Sequence, residues 1–320
     1  MARKLSLSGN KGERSVREEH VCNRVVRRGV ENQPVLRRRV IATRIETNAD
    51  AKKAADARMD KRSVLKAIFY FLLARLGVRR LRGHSFFAML AAKPAVVADF
   101  GAHRGEFFAA VKAEYPVSRA LLIEANPALA DSLKGRFGNE VDILHAALVG
   151  GNRKGPINFT LSANPESSSI FNERAAVYGT ADRVEVPTID FSEALRHLGG
   201  HVDLAKFDIE AAEVEVLRAA RESDLANFTQ LTVEFHEDKQ SATRCDIDRI
   251  CQRMRFEGYG VVNANWPYVD DVLFVNLRTM PTGTRFGFRC RMALVNALFV
   301  IRGAIFWTVH FLNKTVDGHS

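Results

Sequence analysis

The sequence predicts an α/β fold: a mostly parallel seven-stranded sheet with one antiparallel strand, helices on both faces, and apolar, basic helices at the ends. Three observations carry this. The stretch Val96-Val97-Ala98-Asp99-Phe100-Gly101-Ala102-His103-Arg104-Gly105 reads as a buried strand, a glycine turn and the start of a helix. From Pro94 to Arg278, strand-like and helix-like segments alternate, which implies parallel strands joined by crossover helices. The last two strand segments are separated only by Asn265–Asp270, too short for a crossover, so one of them must run antiparallel.

In chain order, strands are predicted at 95–101, 119–125, 141–147, 202–208, 230–236, 259–264 and 271–277. Helices are predicted at 104–115, 127–137, 190–199, 211–221 and 243–257. Asn126 and Pro127 suit the N-cap and first position of the second helix. Residues 149–187 break the alternation. They contain the strand-like Ile157-Asn158-Phe159-Thr160-Leu161 and the polar run Asn164-Pro165-Glu166-Ser167-Ser168-Ser169, and are expected to form an inserted hairpin and loop over one edge.

The ends differ from the middle. Residues 1–62 carry 17 Lys and Arg against 8 Asp and Glu, residues 279–320 carry 5 against 1, and the middle carries 25 against 28. Residues 1–62 are expected to be a disordered basic arm. Met59 offers a second plausible start of the chain. No aromatic residues interleave the basic ones there and the middle is mildly acidic, so no nucleic-acid partner is expected.

Residues 63–82 read as one amphipathic helix, with Leu65, Ile68, Leu72 and Leu76 on one face and Arg75, Arg79 and Arg82 on the other. Residues 285–314 hold a second; 16 of the 21 residues from Met292 to Leu312 are apolar, while Arg302 argues against a simple membrane span. Arg289, Asn296, Gly303 and His310 recur every seventh residue as a narrow polar stripe, which suits either a helix in the membrane interface or one packed on helix 63–82. The domain division expected is therefore 1–62, 63–93, 94–278 and 279–320. The four cysteines, Cys22, Cys245, Cys251 and Cys290, form no C-x-x-C, and no secretory leader is read. Free thiols and a cytoplasmic location, at the inner face of the membrane if the end helices dock there, are expected.

The chemistry-bearing residues sit at strand ends. Glu124 closes the second strand about 20 residues after the glycine turn, where an acid accepts hydrogen bonds from both ribose hydroxyls of a nucleoside. Both dinucleotides and S-adenosylmethionine suit that arrangement. The turn lacks the third glycine of a pyrophosphate fingerprint, and the antiparallel strand at the end of the sheet favours the second ligand. Asp208 and Glu210 lie two apart at the end of the fourth strand, and Glu234 and His236 repeat that spacing on the next. His236 is the preferred proton acceptor, because imidazole titrates near neutrality; a carboxylate is the alternative. No metal site is read.

These residues follow the order seen in FkbM-family methyltransferases: Asp99-Phe-Gly101-Ala-His-Arg-Gly105, Ile123-Glu124-Ala-Asn126-Pro127, Lys206-Phe-Asp208-Ile-Glu210-Ala-Ala-Glu213 and Val233-Glu234-Phe-His236-Glu237. The sequence resembles that family over roughly residues 94–278. It departs in having His103 where the family usually has Asn, and Ala211 where it has Gly. The resemblance implies a Rossmann-like class I methyltransferase (EC 2.1.1 type) using S-adenosylmethionine, mostly for O-methylation of sugars, glycolipids or polyketide-like products. It places Asp99 and the backbone of Gly101, Ala102, His103 and Gly105 at the methionine end of the cofactor. Glu124, with Ala125 and Asn126, falls at the ribose and Ala146 at the adenine. His236, Glu210 and Asp208 fall to catalysis. A small-molecule, glycan or lipid-linked acceptor is expected. The rival readings are a non-catalytic or membrane-associated scaffold that has kept the fold, and a nicotinamide-dependent oxidoreductase.

Overall fold

The computed structural model describes residues 63–89, 93–151, 155–163, 168–171, 179–237 and 242–317. The predicted basic arm and Asn164–Ser167 of the predicted loop lie outside the described residues. The chain divides into two units, Met1–Leu65 and Lys66–Ser320. The second holds everything that follows, including both segments that flank the alternating region.

Seven strands form the central sheet: β3 (Ala95–Phe100), β4 (Val117–Glu124), β5 (Asp142–His145), β10 (Leu204–Phe207), β11 (Gln230–Glu234), β12 (Tyr259–Asn263) and β13 (Asp271–Asn276). Their order is β12-β13-β11-β10-β3-β4-β5. β13 runs antiparallel to both β11 and β12, while the β10–β11, β10–β3, β3–β4 and β4–β5 pairs are parallel. This is the predicted Rossmann-like sheet, and the short Asn265–Asp270 link is what reverses β13.

Both faces of the sheet are buried, so its strands read as nearly continuous apolar runs. On one face Ala98, Phe100, Ala205 and Phe207 pack under α4 (Phe191–His197), α5 (Glu213–Ala219), the short α6 (Glu222–Leu225) and α7 (Arg244–Phe256). On the other, Ala95, Val97, Ala120 and Leu122 pack under α2 (Glu106–Glu114) and α3 (Pro127–Phe137). The Asn126 side chain caps α3 by accepting from the Ala128 and Leu129 amides, with Pro127 at the first position. Thr243 and Asp246 close a capping box on α7. The predicted insertion is present as the antiparallel pair β7 (Ile157–Ser162) and β8 (Thr180–Val186), beside a small parallel pair, β6 (Ala147–Val149) and β9 (Thr188–Asp190).

Of two expectations for the end segments, the first is corrected and the second is narrowed to one of its alternatives. The helix predicted through Arg82 ends at residue 75; this is α1, which within this unit runs over 66–75. Gly77 follows at φ +80°, and the chain turns into β1 (Val78–Leu81) and β2 (His84–Phe87), an antiparallel hairpin. Its two-residue turn is Arg82-Gly83, both at positive φ (48° and 89°), which is the geometry tight hairpins require. Arg79 therefore lies on a strand, paired with Glu114. β2 is locked to the sheet at its far end, where the Gln230 amide bonds both the amide and the carbonyl of Phe87.

The second concerns α8 (Thr282–Asp317). The polar stripe faces inward at Asn296 and Gly303, while Arg289, nearer the start of the helix, is exposed. The Asn296 side chain accepts from the Asn263 amide and donates to the Val261 carbonyl, answering backbone groups on the edge strand β12. Gly303 lies against Trp266, where a Cβ would stand 2.3 Å from the carbonyl oxygen. Met292, Val295 and Phe299 are buried on the same side. Phe299 meets Phe69 of α1 edge-on and Arg302 stacks over that ring, so the packed alternative holds. The outward face carries Phe286, Leu294, Ile301, Ile305 and Phe306, all exposed.

Candidate active site

The carboxyl ends of β3, β4, β10 and β11 open into a cavity of about 400 Å³. It lies where strand order reverses on either side of β3, the usual ligand crevice of an open α/β sheet. One wall is the glycine turn. Gly101 stands at φ +74°, its amide and that of Ala102 donate to the Ile123 carbonyl, and a Cβ on it would fall 1.8 Å from the Asp208 carbonyl oxygen. No side chain fits there, so glycine lets the turn press against the end of β10.

His103 takes φ 50°, and its amide donates to Glu124 Oε2 at 2.7 Å; the Asn126 amide donates to Oε1 at 2.8 Å. Both oxygens of Glu124 are thus fixed by backbone while the residue still lines the cavity. Burial pushes its carboxyl above the usual range, against those two amides. Gly101, Ala102, His103, Glu124, Ala125 and Ala146 all line the cavity. The remaining three residues of that predicted set stand behind it. Asp99 is fully buried and its Oδ2 accepts from the Phe108 amide in α2. Gly105 packs on α3, where a Cβ would come 2.6 Å from Phe137. Asn126 caps α3.

The opposite wall is built from charge. Lys206 is buried, donates to the Gly101 carbonyl at 2.8 Å, and lies 3.4 Å from Asp99 Oδ1 and 3.3 Å from Asp208 Oδ2. Burial opposes its charge, but Asp208 and Asp99 outweigh that and raise its pKa. Burial would raise Asp208 likewise, yet Lys206, His236 and His84 hold it below the usual carboxylate range. Glu210 and Ala211 both adopt positive φ, 53° and 82°. The loop is held by Glu213, which is fully buried and whose Oε1 accepts from the Ile209 and Ala211 amides. Ala211 thus keeps a conformation that glycine adopts more cheaply, at a cost of roughly 1 kcal/mol.

His236, the expected proton acceptor, does not line the cavity. Its Nδ1 lies 3.0 Å from Glu213, and its Nε2 lies 3.5 Å from Glu210 and 3.7 Å from Asp208. Burial disfavours the charged ring, but those carboxylates, Glu213 foremost, lift its pKa to about 10. It holds its proton at neutral pH and stands behind Asp208 and Glu210, which do line the cavity. Glu234 lines it too, and burial together with the neighbouring Asp208 charge raises its carboxyl to about 7.

His84 was not singled out from the sequence. The β1–β2 hairpin brings it to this wall, where burial and then Lys206 push its pKa down to about 3. Ser168 and Ser169 come from the insertion; Ser168 lines the cavity, and Ser169 Oγ donates to the Glu210 carbonyl at 2.6 Å.

The family model described as "Methyltransferase FkbM domain" matches residues 99–261, just over half of the chain and all four motif segments. The chain belongs to the FkbM methyltransferase family. Solved structures similar to this family member include methyltransferase FkbM from Methylobacillus flagellatus, at 13% identity over 57% of this chain and 43% of that one, with a TM-score of 0.38. This chain thus spans less than half the length of that protein. Others are precorrin-6y C5,15-methyltransferase from Geobacter metallireducens (13% identity, 57% and 79% covered, TM-score 0.31) and ribosomal protein L11 methylase from Lactobacillus delbrueckii subsp. bulgaricus (9%, 57% and 69%, 0.31). No curated protein sequence matches the chain.

Proposed function

We propose that this FkbM-family methyltransferase uses S-adenosylmethionine to methylate a hydroxyl on a sugar, glycolipid or other small-molecule acceptor. The observation that carries the reading is Glu124: a carboxylate at the end of β4, fixed by two backbone amides and lining the cavity. An acid so held keeps lone pairs for a pair of ribose hydroxyls. The backbone of Gly101–His103 would lie along the methionine end, and Ala146 with Leu148 would flank the adenine. Asp99 and Gly105 act from behind, as supports for α2 and the turn. When bound, the cofactor supplies a methyl group on a sulfonium with its own leaving group.

The chain's remaining task is to align an acceptor oxygen and help remove its proton. Asp208, Glu210 and Glu234 face the cavity for that purpose, while protonated His236 orders the first two.

A membrane-associated acceptor is supported by α8. Thr282–Thr308 contains an 18-residue window with a mean hydropathy of 1.5, 22% of it buried, and by length and composition is apolar enough to cross a bilayer. Its inner side is already occupied by β12, so we place it along the anionic inner face of the cytoplasmic membrane with its apolar side down. Arg285, Arg289 and Arg291 add positive charge to that segment.

The test is methyl transfer. Purified full-length chain is given labelled S-adenosylmethionine with, separately, free sugars, a glycolipid extract, RNA and protein. Alkali-stable label in the sugar or glycolipid fraction is expected; label confined to RNA or protein contradicts the acceptor class. Flotation with anionic vesicles is expected to carry the chain and to fall at least fivefold in Ile305→Glu/Phe306→Glu. Equal flotation of both proteins contradicts the membrane reading.

A further inference from the structure

We propose that His84, Asp208 and Glu234 form a site for a divalent cation in the charged wall of the cavity, open to an incoming acceptor oxygen. The three come from separate parts of the chain: the start of β2, the residue after β10 and the last residue of β11. His84 Nε2 lies 3.9 Å from Asp208 Oδ2 and 3.8 Å from Glu234 Oε2. Ligand atoms from the three residues all fall within 4.8 Å of one another. Those separations exceed a hydrogen bond. They match atoms sharing an ion: ligands about 2.2 Å from one centre stand roughly 3 Å apart when cis and roughly 4.4 Å when trans.

Burial makes the arrangement pointed. His84 is 3% exposed, its ring is wedged edge-on against Phe107, and its side chain makes no hydrogen bond among the described residues. A buried imidazole is ordinarily satisfied; here Nε2 is aimed into the cavity at two carboxylates. Glu234 has no lysine or arginine within ion-pair distance among the described residues; Lys206 and His236 act on it only from farther off. Lys206 is not a direct partner for it, because its ammonium is tied to the Gly101 carbonyl and shared between Asp99 and Asp208.

The neighbouring group Asp208, Glu210 and His236 has similar spacing, but His236 stands behind the cavity lining, so an ion held there would be less open to an incoming acceptor. The Asp208 and Glu234 side chains are 27% and 43% exposed, toward the cavity, so an ion there keeps open positions. One imidazole with two carboxylates suits a manganese-class ion better than calcium.

The role of such an ion rests on the methyl-transfer reading. It would bind the acceptor hydroxyl oxygen and favour loss of its proton to water. The oxygen–methyl bond would then form as the sulfur–methyl bond breaks. The site itself stands on geometry and is tested without turnover.

The experiment is a Mn²⁺ titration of the full chain followed by loss of the free-ion electron paramagnetic resonance signal. It is run on the natural chain, His84→Ala, His84→Asn, Glu234→Gln and the surface control Glu222→Gln. Each protein is also titrated with S-adenosylhomocysteine by calorimetry, which reports whether its fold and cofactor subsite are intact. One Mn²⁺ per natural chain is expected, weakened at least tenfold in a His84 variant and in Glu234→Gln, each of which still binds the cofactor product, and unchanged in the control. No stoichiometric Mn²⁺ on the natural chain, or equal affinity in the His84 and Glu234 variants, overturns the proposal. Mn²⁺ binding without cofactor-product binding would sink the methyl-transfer reading and leave the cation site standing.

Discussion

The two walls of the cavity are built on different principles. On the glycine-turn wall, the polar groups of Glu124 and of the turn are answered by backbone at normal distances: Gly101 and Ala102 to Ile123, His103 and Asn126 to Glu124. On the facing wall, Lys206, Asp208, Glu210, Glu213, Glu234, His84 and His236 crowd together, and several are pushed far from their ordinary pKa values. The first wall resembles a rigid cradle for a ligand of fixed shape. The second stores charge, the condition in which proton and cation chemistry is set up. The lesson is that one crevice can hold a preformed binding surface and a strained, chemically poised one, joined where Gly101 touches Asp208.

That junction is the place to break the comparison hardest. Gly101→Ala puts a Cβ where the Asp208 carbonyl stands, in a positive-φ position. It is expected to cost about 3 kcal/mol or more in chemical denaturation. Unchanged stability would mean that the walls are not pressed together as described.

Next in size is Glu213→Gln. This removes the buried charge that answers His236 and weakens the clamp on the Ile209 and Ala211 amides. A loss of about 2 kcal/mol is expected, with cofactor-product affinity changed less than threefold because the turn wall is untouched. Equal damage to affinity would erase the distinction between the walls.

The smallest effect is expected from a carboxylate outside the cavity. Asp203 accepts from the Val96 amide at 2.9 Å and lies 2.7 Å from Lys93. Although burial opposes its charge, Lys93, Val96 and His201 hold its pKa below the ordinary value. A lowered folded pKa contributes stability that is present above the unfolded value near 4 and lost as pH falls through the folded one. Asp203→Asn should therefore cost under about 1 kcal/mol at pH 7, and the difference should shrink as melting is followed below pH 4. A difference that grows on acidification contradicts the assignment.

Legibility in the sequence divides along the same line. The sheet could be read because both faces are buried and each crossover helix has its period. The turn wall could be read because Asp99–Gly105 and Glu124–Pro127 are short contiguous signals with local causes. The charged wall could be read only in part: Asp208, Glu210 and Glu234 announce themselves by spacing at strand ends, but His84 arrives through a hairpin disguised as a continuation of α1. The signal that could have found it is Gly77 followed by Arg82-Gly83, a helix stop and a hairpin turn. His236 was read as a base because the imidazole rule is local. Its charge is set by Glu213, Glu210 and Asp208, whose convergence on the ring is a property of the fold. The seven-residue stripe on α8 was seen correctly as a stripe, but which way it faces depends on the edge strand β12, which no periodicity reports.

The most direct test of the whole account is calorimetric binding of S-adenosylhomocysteine to the full chain and to Glu124→Ala. Micromolar affinity in the natural chain, falling about a hundredfold in the variant as two charge-assisted ribose hydrogen bonds are lost, is the predicted result. Equal affinity in the two proteins would contradict the assignment of the turn wall, and absence of binding to the folded natural chain would contradict the cofactor itself.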